Sequence, residues 1–170
     1  IVILQLIEEK KIKFEDPINL YLPAFNNLKV LKENAKSINE VKNVERQPSI
    51  KDLLLHTAGF SYNFLGDVVA EEYHNIGLFY SNQTTLKKEI DALSKVPLLY
   101  EPGTRWVYSV SVDILARIIE VVENTSLEFQ LKKRIFEPLD MKHTGFTINL
   151  DKQKLMTSYH YNNISNELVK

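Results

Sequence analysis

The segment Tyr100–Val110 decides how this chain folds, and it reads YEPGTRWVYSV. Its Pro-Gly pair predicts a turn, because proline fixes φ and glycine adopts the left-handed backbone that many turns require. A strongly apolar helical pattern follows directly. Tyr108 is therefore held on rigid backbone between a turn and a helix start, and we predict that it is an active-site residue. The alternative that the segment alone leaves open is a half-buried packing role for Tyr108 beside Trp106.

The pattern after Tyr108 predicts the best-defined helix of the chain. Its apolar residues recur at the i, i+4 spacing of one buried stripe, which comprises Val110, Ile114, Leu115, Ile118, Ile119 and Val122. Ser109 precedes this stripe, and we predict that its hydroxyl caps the helix. A role as a second catalytic group is the alternative for Ser109. Trp106 either lines a substrate cleft or packs in the core.

Two shorter helices are predicted from their capping residues. Ser49–Asp52 has the Ser-x-x-acid form of a capping box and predicts a helix that ends near His56. Thr84 or Thr85 predicts the start of a second helix, over about 86–95.

The other stretches upstream of Tyr108 are less regular. Residues 1–10 read as the last turns of a helix, with apolar side chains at 1, 3, 4 and 7. Because Ile1 is not an initiator methionine and no cap residue precedes it, we expect the chain to begin inside a helix of a longer protein. We predict a polar surface loop over 26–47 and a long excursion without regular structure over 60–83.

Downstream of the apolar helix, both helix and strand patterns occur. A helix is predicted to begin at Ser126 and to end before Pro138. Alternating apolar and polar residues then predict strands at 146–148 and within 155–161.

The composition is that of an ordinary globular protein. Of 170 residues, 44% are hydrophobic and 25% are charged, and the formal net charge is −1. Acidic and basic residues are mixed along the chain without forming a basic face, which argues against nucleic acid as a partner. No apolar run approaches the roughly 18 residues that a membrane span needs.

Cysteine and histidine usage excludes several kinds of site. The sequence contains no cysteine, which excludes thiol catalysis, cysteine-ligated zinc and disulfides. Its four histidines show no metal-ligand spacing, so we predict no metal site. We interpret His56, which follows three leucines and precedes a turn, as a structural histidine rather than a ligand.

Five segments of the chain resemble, in order, the serine β-lactamase-like superfamily, and in particular its class C β-lactamase, esterase and D,D-peptidase group. They cover most of residues 1–146 and are Leu6–Ile12, Asp16–Pro23, Ile50–Phe60, Tyr100–Ser109 and Ile135–Phe146. The resemblance implies an α/β protein of the α+β type with the β-lactamase/transpeptidase-like fold, in which a helical region packs on an antiparallel sheet. We expect residues 1–170 to form part of one such domain, mostly its helical region.

The chemistry implied by this resemblance is acyl transfer through a serine nucleophile on a Ser-x-x-Lys turn. Because a serine hydroxyl is a poor nucleophile near neutral pH, a neighbouring base must accept its proton. Tyr108 matches the tyrosine of the family's Tyr-x-Asn or Tyr-Ser-x motif, whose implied roles are to accept that proton and to return it to the leaving group. Ser109, Trp106 and Val110 are the implied substrate-binding residues. The implied partner is a small acyl substrate (an ester, amide or β-lactam), and no cofactor is implied.

Two of the family's three motifs are absent from the sequence. No serine is followed by a lysine three residues later, and the resemblance places the Ser-x-x-Lys motif shortly before Ile1. The third motif, Lys-Thr-Gly or His-x-Gly on a strand, is expected beyond Lys170. His143–Gly145 has the form His-x-Gly but aligns better within the Ile135–Phe146 segment.

Three positions depart from the family pattern. Val110 occupies the place of an asparagine that contacts a substrate amide in lactamases and D,D-peptidases, and its apolar side chain favours an esterase. The alternatives to an esterase are a β-lactamase or D,D-peptidase and a catalytically inactive scaffold or binding protein. Asp140 and Asn124 replace glycines, and asparagine tolerates the left-handed backbone of a helix end.

Overall fold

The computed structural model describes four stretches of the chain, which are residues 1–79, 84–147, 160–162 and 167–169. The chain forms two compact units, Ile1–Leu131 and Lys132–Lys170, and each is described by itself. Within the described residues helices are the commonest regular structure, accompanied by two small antiparallel sheets. This confirms the predicted α+β type.

Helices are the main regular elements of the first unit. In chain order its described α-helices are α1 (Val2–Glu8), α2 (Ile50–Leu54), α3 (Val68–Asn75), α4 (Leu86–Leu93), α5 (Ser111–Glu123) and α6 (Leu127–Leu131). Two 3₁₀ turns, Ile18–Leu20 and Pro23–Asn27, lie between α1 and α2. No helix among the described residues has both the length and the apolar character needed to cross a membrane.

Helix α5 is the central element of the core of the first unit. It packs against α1, α2, α4 and α6, and its buried apolar side chains belong to the predicted stripe, namely Ile114, Leu115, Ile118 and Ile119. Each such side chain contributes about 1.5–3 kcal/mol when it is fully buried. The helix ends at Asn124, whose φ of 50° is left-handed as the sequence led us to expect.

Both predicted caps of the shorter helices are present. Ser49 and Asp52 make both hydrogen bonds of a capping box at the start of α2. The Thr85 side chain accepts the Lys88 backbone N–H at the start of α4. These caps are local in sequence, which is why their pattern alone was sufficient to predict them.

The predicted loop over 26–47 is wrong, because it contains a β-hairpin. Strand β1 (Lys29–Leu31) pairs antiparallel with β2 (Val41–Asn43). On its other edge β1 bonds to Leu98, whose N–H donates to the Lys29 carbonyl at 2.8 Å and whose carbonyl accepts the Leu31 N–H at 2.9 Å. Strands of three residues are too short to show an alternating pattern in sequence.

The predicted excursion over 60–83 is also partly wrong, because it contains helix α3. The Asp67 side chain caps this helix by accepting the Ala70 N–H at 2.8 Å. Its buried residues, Val69, Ala70 and Tyr73, form a narrow helical face. Two turns of helix among aromatic and polar neighbours give too little periodicity to be distinguished from a loop.

The buried face of helix α1 shares only Ile3 with the predicted apolar face. Its buried residues are Val2, Ile3 and Leu6, whereas Ile1 and Leu4 are exposed. In a helix of two turns the sets 1, 4 and 2, 6 both have helical spacing, so the sequence pattern does not choose between them. The buried face is instead determined by tertiary packing, since α1 contacts α5.

The second unit begins with a π-helical turn, Lys132–Phe136. The continuous helix predicted from Ser126 is therefore divided into α6 and this turn. Asp140, which replaces a family glycine, has a left-handed φ of 53°. Strands β3 (His160–Asn162) and β4 (Glu167–Val169) pair antiparallel.

The strand predictions near the end of the chain are only partly tested. Phe146 and Thr147 do not lie in a strand, and Ile148 lies outside the described residues. Of the predicted strand region 155–161, only the last two residues are described, and both belong to β3.

Candidate active site

The turn before Tyr108 lies along the segment that follows α2. The Leu99 N–H donates to the Gly59 carbonyl and the Gly103 N–H donates to the Thr57 carbonyl, both at 2.7 Å. Gly59 has a φ of 89°, and a Cβ there would overlap the Tyr100 carbonyl oxygen. Only glycine combines this backbone conformation with so close an approach.

A half-buried ion pair supports the same turn from its other side. The Arg46 guanidinium donates to both carboxylate oxygens of Asp52, at 2.6 and 2.9 Å, and it covers Gly103. Burial alone would raise the pKa of Asp52, but the hydrogen bonds from Arg46 and Ser49 outweigh it and hold that pKa below its ordinary value. The turn is thus tied to the start of α2.

The side chain of Tyr108 belongs to a cluster of packed rings, here called the aromatic wall, which consists of His56, Tyr62, Phe64 and Tyr108. The Tyr108 side chain is 49% exposed, and its ring centroid lies 5.0 Å from that of His56 and 5.6 Å from that of Tyr62, the latter ring being nearly parallel at 10°. Tyr62 stacks in turn on Phe64, with centroids 4.6 Å apart. The phenol is therefore accessible while its ring is supported by packing.

Trp106 lies at the edge of this wall. Its side chain is 67% exposed, and its ring meets His56 edge-on, with centroids 6.3 Å apart. Trp106 is therefore not part of the core of the described residues, and its place in a substrate cleft stays a prediction.

Ser109 and Val110 lie beneath the wall rather than on it. Both are buried, with 3% and 0% of their surface exposed. The predicted cap by Ser109 is wrong, because α5 has no side-chain cap and the Ser109 hydroxyl instead bonds with that of Ser111 at 2.7 Å. The Val110 N–H donates to the Ser61 carbonyl at 3.2 Å. Direct contact of either side chain with a substrate thus requires this segment to rearrange.

His56 makes the contacts expected of a structural histidine. Its Nδ1 accepts the Ser109 backbone N–H at 3.3 Å, so the proton of the neutral ring belongs on Nε2. Burial lowers the pKa of His56, which favours that neutral form. Among the described residues no group of three or more histidine or carboxylate side chains is arranged to hold a metal ion.

Burial shifts the pKa of two further ionisable groups, Tyr62 and Asp113. Burial raises the pKa of Tyr62, and the charges of Asp113 and Tyr108 add to that effect. Burial also raises the pKa of Asp113, in the first turn of α5.

The family model described as Beta-lactamase matches residues 1–169, and the matched region includes the whole aromatic wall. The chain belongs to the β-lactamase family.

Known relatives include enzymes of acyl transfer. Acyltransferase mokF of Monascus pilosus is 31% identical over 150 residues, which are 87% of this chain and 35% of that protein. Lovastatin esterase of Penicillium rubens is 32% identical over 102 residues, which are 59% of this chain and 25% of that protein. The chain therefore spans well under half of the length of either relative.

A solved structure confirms the predicted fold. EstCE1, described as a hydrolase with promiscuous acyltransferase activity, superposes with a TM-score of 0.74 at 27% identity, over 97% of this chain and 41% of that chain. The predicted β-lactamase/transpeptidase-like fold and membership of the serine β-lactamase-like superfamily are thereby confirmed.

The sequence singled out Tyr108 as a candidate, but it did not indicate which rings pack against this tyrosine. Tyr62 and Phe64 lie in the stretch that we predicted to be an irregular excursion, and His56 lies 53 residues from Ser109. Their only signal in the sequence is the aromatic residue at every second position, Phe60, Tyr62 and Phe64.

Proposed function

We propose that this chain provides the tyrosine-bearing wall of a serine hydrolase that forms an acyl-enzyme, with an ester as the favoured substrate. The observation that supports this most directly is the half-exposed phenol of Tyr108 on its aromatic support. A general base must be both reachable and held in place, and Tyr108 meets both conditions.

In the proposed reaction Tyr108 transfers a proton twice. Its phenolate oxygen accepts the proton of the serine hydroxyl as the serine oxygen bonds to the acyl carbon. The phenol then gives that proton to the leaving alkoxide as the ester C–O bond breaks. Water releases the acyl group by the same two transfers. The serine and its lysine belong to a Ser-x-x-Lys motif that these 170 residues do not contain.

Two observations support an ester rather than a lactam or peptide. Val110 takes the position of the family's amide-binding asparagine, and it is fully buried. An aliphatic side chain offers no hydrogen bond to a substrate amide. The relatives mokF and lovastatin esterase bear names of acyl transfer and ester hydrolysis.

A β-lactamase activity is the second candidate, because the matching family bears that name. The two candidates are separated by substrate. We expect a protein that contains this chain together with an upstream Ser-x-x-Lys motif to turn over a nitrophenyl ester much faster than nitrocefin. The reverse order would favour the β-lactamase. If no Ser-x-x-Lys motif precedes this chain in its gene, the proposed hydrolase is wrong and an inactive scaffold is favoured.

Tyr108→Phe in that protein should lower the rate of acylation by about 10²–10⁴-fold, the usual contribution of a general acid–base group. Pre-steady-state release of nitrophenol measures this step. Tyr62→Phe is the matched control, because it removes a hydroxyl from the ring stacked on Tyr108 and should change the rate little. An unaffected rate in Tyr108→Phe would remove this tyrosine from the mechanism.

A further inference from the structure

His56 bonds to the backbone on both sides of Tyr108. Its carbonyl accepts the Val107 N–H at 2.9 Å, and its Nδ1 accepts the Ser109 N–H at 3.3 Å. Its ring also packs against the Tyr108 ring, with centroids 5.0 Å apart. One residue thus contacts the tyrosine and both of its chain neighbours.

The backbone of His56 is in a conformation that few residues adopt. Its φ is 54°, in the left-handed region that a residue with a Cβ occupies only when its surroundings fix it. Such residues occur most often at functional sites. The helix α2 ends immediately before it, at Leu54 with Leu55 as the C-cap, so this turn aims His56 away from the helix and toward the Tyr108 segment.

The hydroxyl groups of Ser109 and Ser111 form hydrogen bonds that connect His56 to the start of α5. The Ser109 Oγ lies 3.3 Å from the His56 Nδ1 and 2.7 Å from the Ser111 Oγ. Ser109 and Ser111 are both buried. The start of α5 is thereby joined to the imidazole by hydrogen bonds where no side-chain cap is present.

We propose that His56 is a positioning residue for Tyr108, and that its Nδ1 acceptor fixes the direction of the phenol during acylation. This inference rests on the proposed hydrolase function. His56 does not touch the reacting atoms; it acts through Ser109 and the ring contact. The loss of a positioning group lowers kcat and leaves substrate binding largely unchanged.

Three substitutions at this position separate the acceptor from the backbone conformation. His56→Asn keeps an acceptor at nearly the place of Nδ1 and tolerates a left-handed backbone. His56→Gly tolerates that backbone even better but has no acceptor. His56→Gln has an acceptor one bond further out. All three keep the carbonyl bond to Val107.

The experiment is steady-state hydrolysis of a nitrophenyl ester by a protein that contains this chain and the Ser-x-x-Lys motif. We expect His56→Gly and His56→Gln to lower kcat by about 10²-fold, the scale of a misplaced catalytic group, with KM little changed. His56→Asn should recover most of the lost rate. Thermal unfolding of each variant sets an assay temperature at which all of them are folded.

The outcomes distinguish this inference from the proposed function. Equal kcat values for His56→Asn and His56→Gly, in a protein whose wild type is active, would overturn the positioning role alone. A wild type without ester hydrolysis would overturn the proposed function and this inference with it. A crystal structure of His56→Gly with the Tyr108 ring in its original place would also contradict the inference.

Discussion

The imidazole of His56 is held neutral by its surroundings, and this has a consequence for stability. Burial lowers its pKa in the folded protein, whereas the unfolded chain protonates at the ordinary value of about 6.5. Below that pH the unfolded state binds more protons than the folded state. The free energy of unfolding therefore falls as the pH falls, until the folded protein is protonated as well.

We predict that this loss of stability disappears in His56→Asn. The wild type should lose no more than about 1.4 kcal/mol per pH unit through this group below pH 6.5. The side chains that face the ring are those of Trp106, Tyr108 and Ser109. Urea denaturation of both proteins from pH 5 to 8 measures the difference, and parallel curves would contradict the prediction.

At the level of single residues, the sequence predicted those features whose cause is local. The capping box of Ser49 and Asp52 and the left-handed Asn124 depend on neighbours within a few positions. The prediction that Ser109 caps α5 failed because its hydroxyl bonds instead with a distant partner, His56. Local patterns contain no information about such a partner.

At the level of elements, the turn that presents Tyr108 depends on a close backbone approach. Gly59 and Gly66 both have positive φ, of 89° and 73°, but only Gly59 lies against another backbone segment. The two glycines therefore form a matched pair for substitution by alanine. At Gly66 the change adds backbone strain alone, whereas at Gly59 it adds backbone strain and steric overlap with Tyr100.

We predict that Gly66→Ala lowers the free energy of unfolding by about 1 kcal/mol, through the left-handed backbone. Gly59→Ala should lower it by about 3 kcal/mol or more, because the added methyl also displaces the Tyr100 carbonyl. Chemical denaturation measures both. If the two variants are equally stable, the contact between Gly59 and Tyr100 does not support the turn.

The elements that the sequence did predict are long or begin with a recognisable cap. The 13 residues of α5 give a clear helical stripe, whereas β1, β2 and α3 have 3, 3 and 8 residues and were predicted to be irregular. Strand β1 exists because both of its edges find partners, β2 and Leu98. Such pairing is a tertiary property and leaves little trace in a three-residue segment.

At the level of the whole molecule, one prediction concerns the catalytic activity of these 170 residues by themselves. The sequence holds Tyr108, which we propose as the general base, but no Ser-x-x-Lys motif, and a phenol without a nucleophile forms no acyl-enzyme. We predict that these 170 residues alone neither hydrolyse a nitrophenyl ester nor become acylated by a penicillin. Mass spectrometry after incubation with penicillin is the measurement, and a covalent adduct would contradict the prediction.

The family and the fold were predictable from the sequence because several motifs occur in order along most of the chain. Of the predicted site residues, Tyr108 and Trp106 are exposed, and their roles in a reaction stay predictions. The burial of Ser109 and Val110 and the stacking of Tyr62 result from the pairing of two segments about 50 residues apart, and no single motif contains both.

The pairing of those two segments also allows the motion of the Tyr108 segment to be followed by hydrogen exchange of the neighbouring backbone amides. The N–H groups of Leu99, Gly103 and Val107 all donate to the backbone at 56–59, and that of Ser109 donates to the His56 ring. These amides can exchange with solvent deuterium only when the two segments separate. In the substrate-free protein, their exchange rates thus report how often the Tyr108 segment separates from residues 56–59.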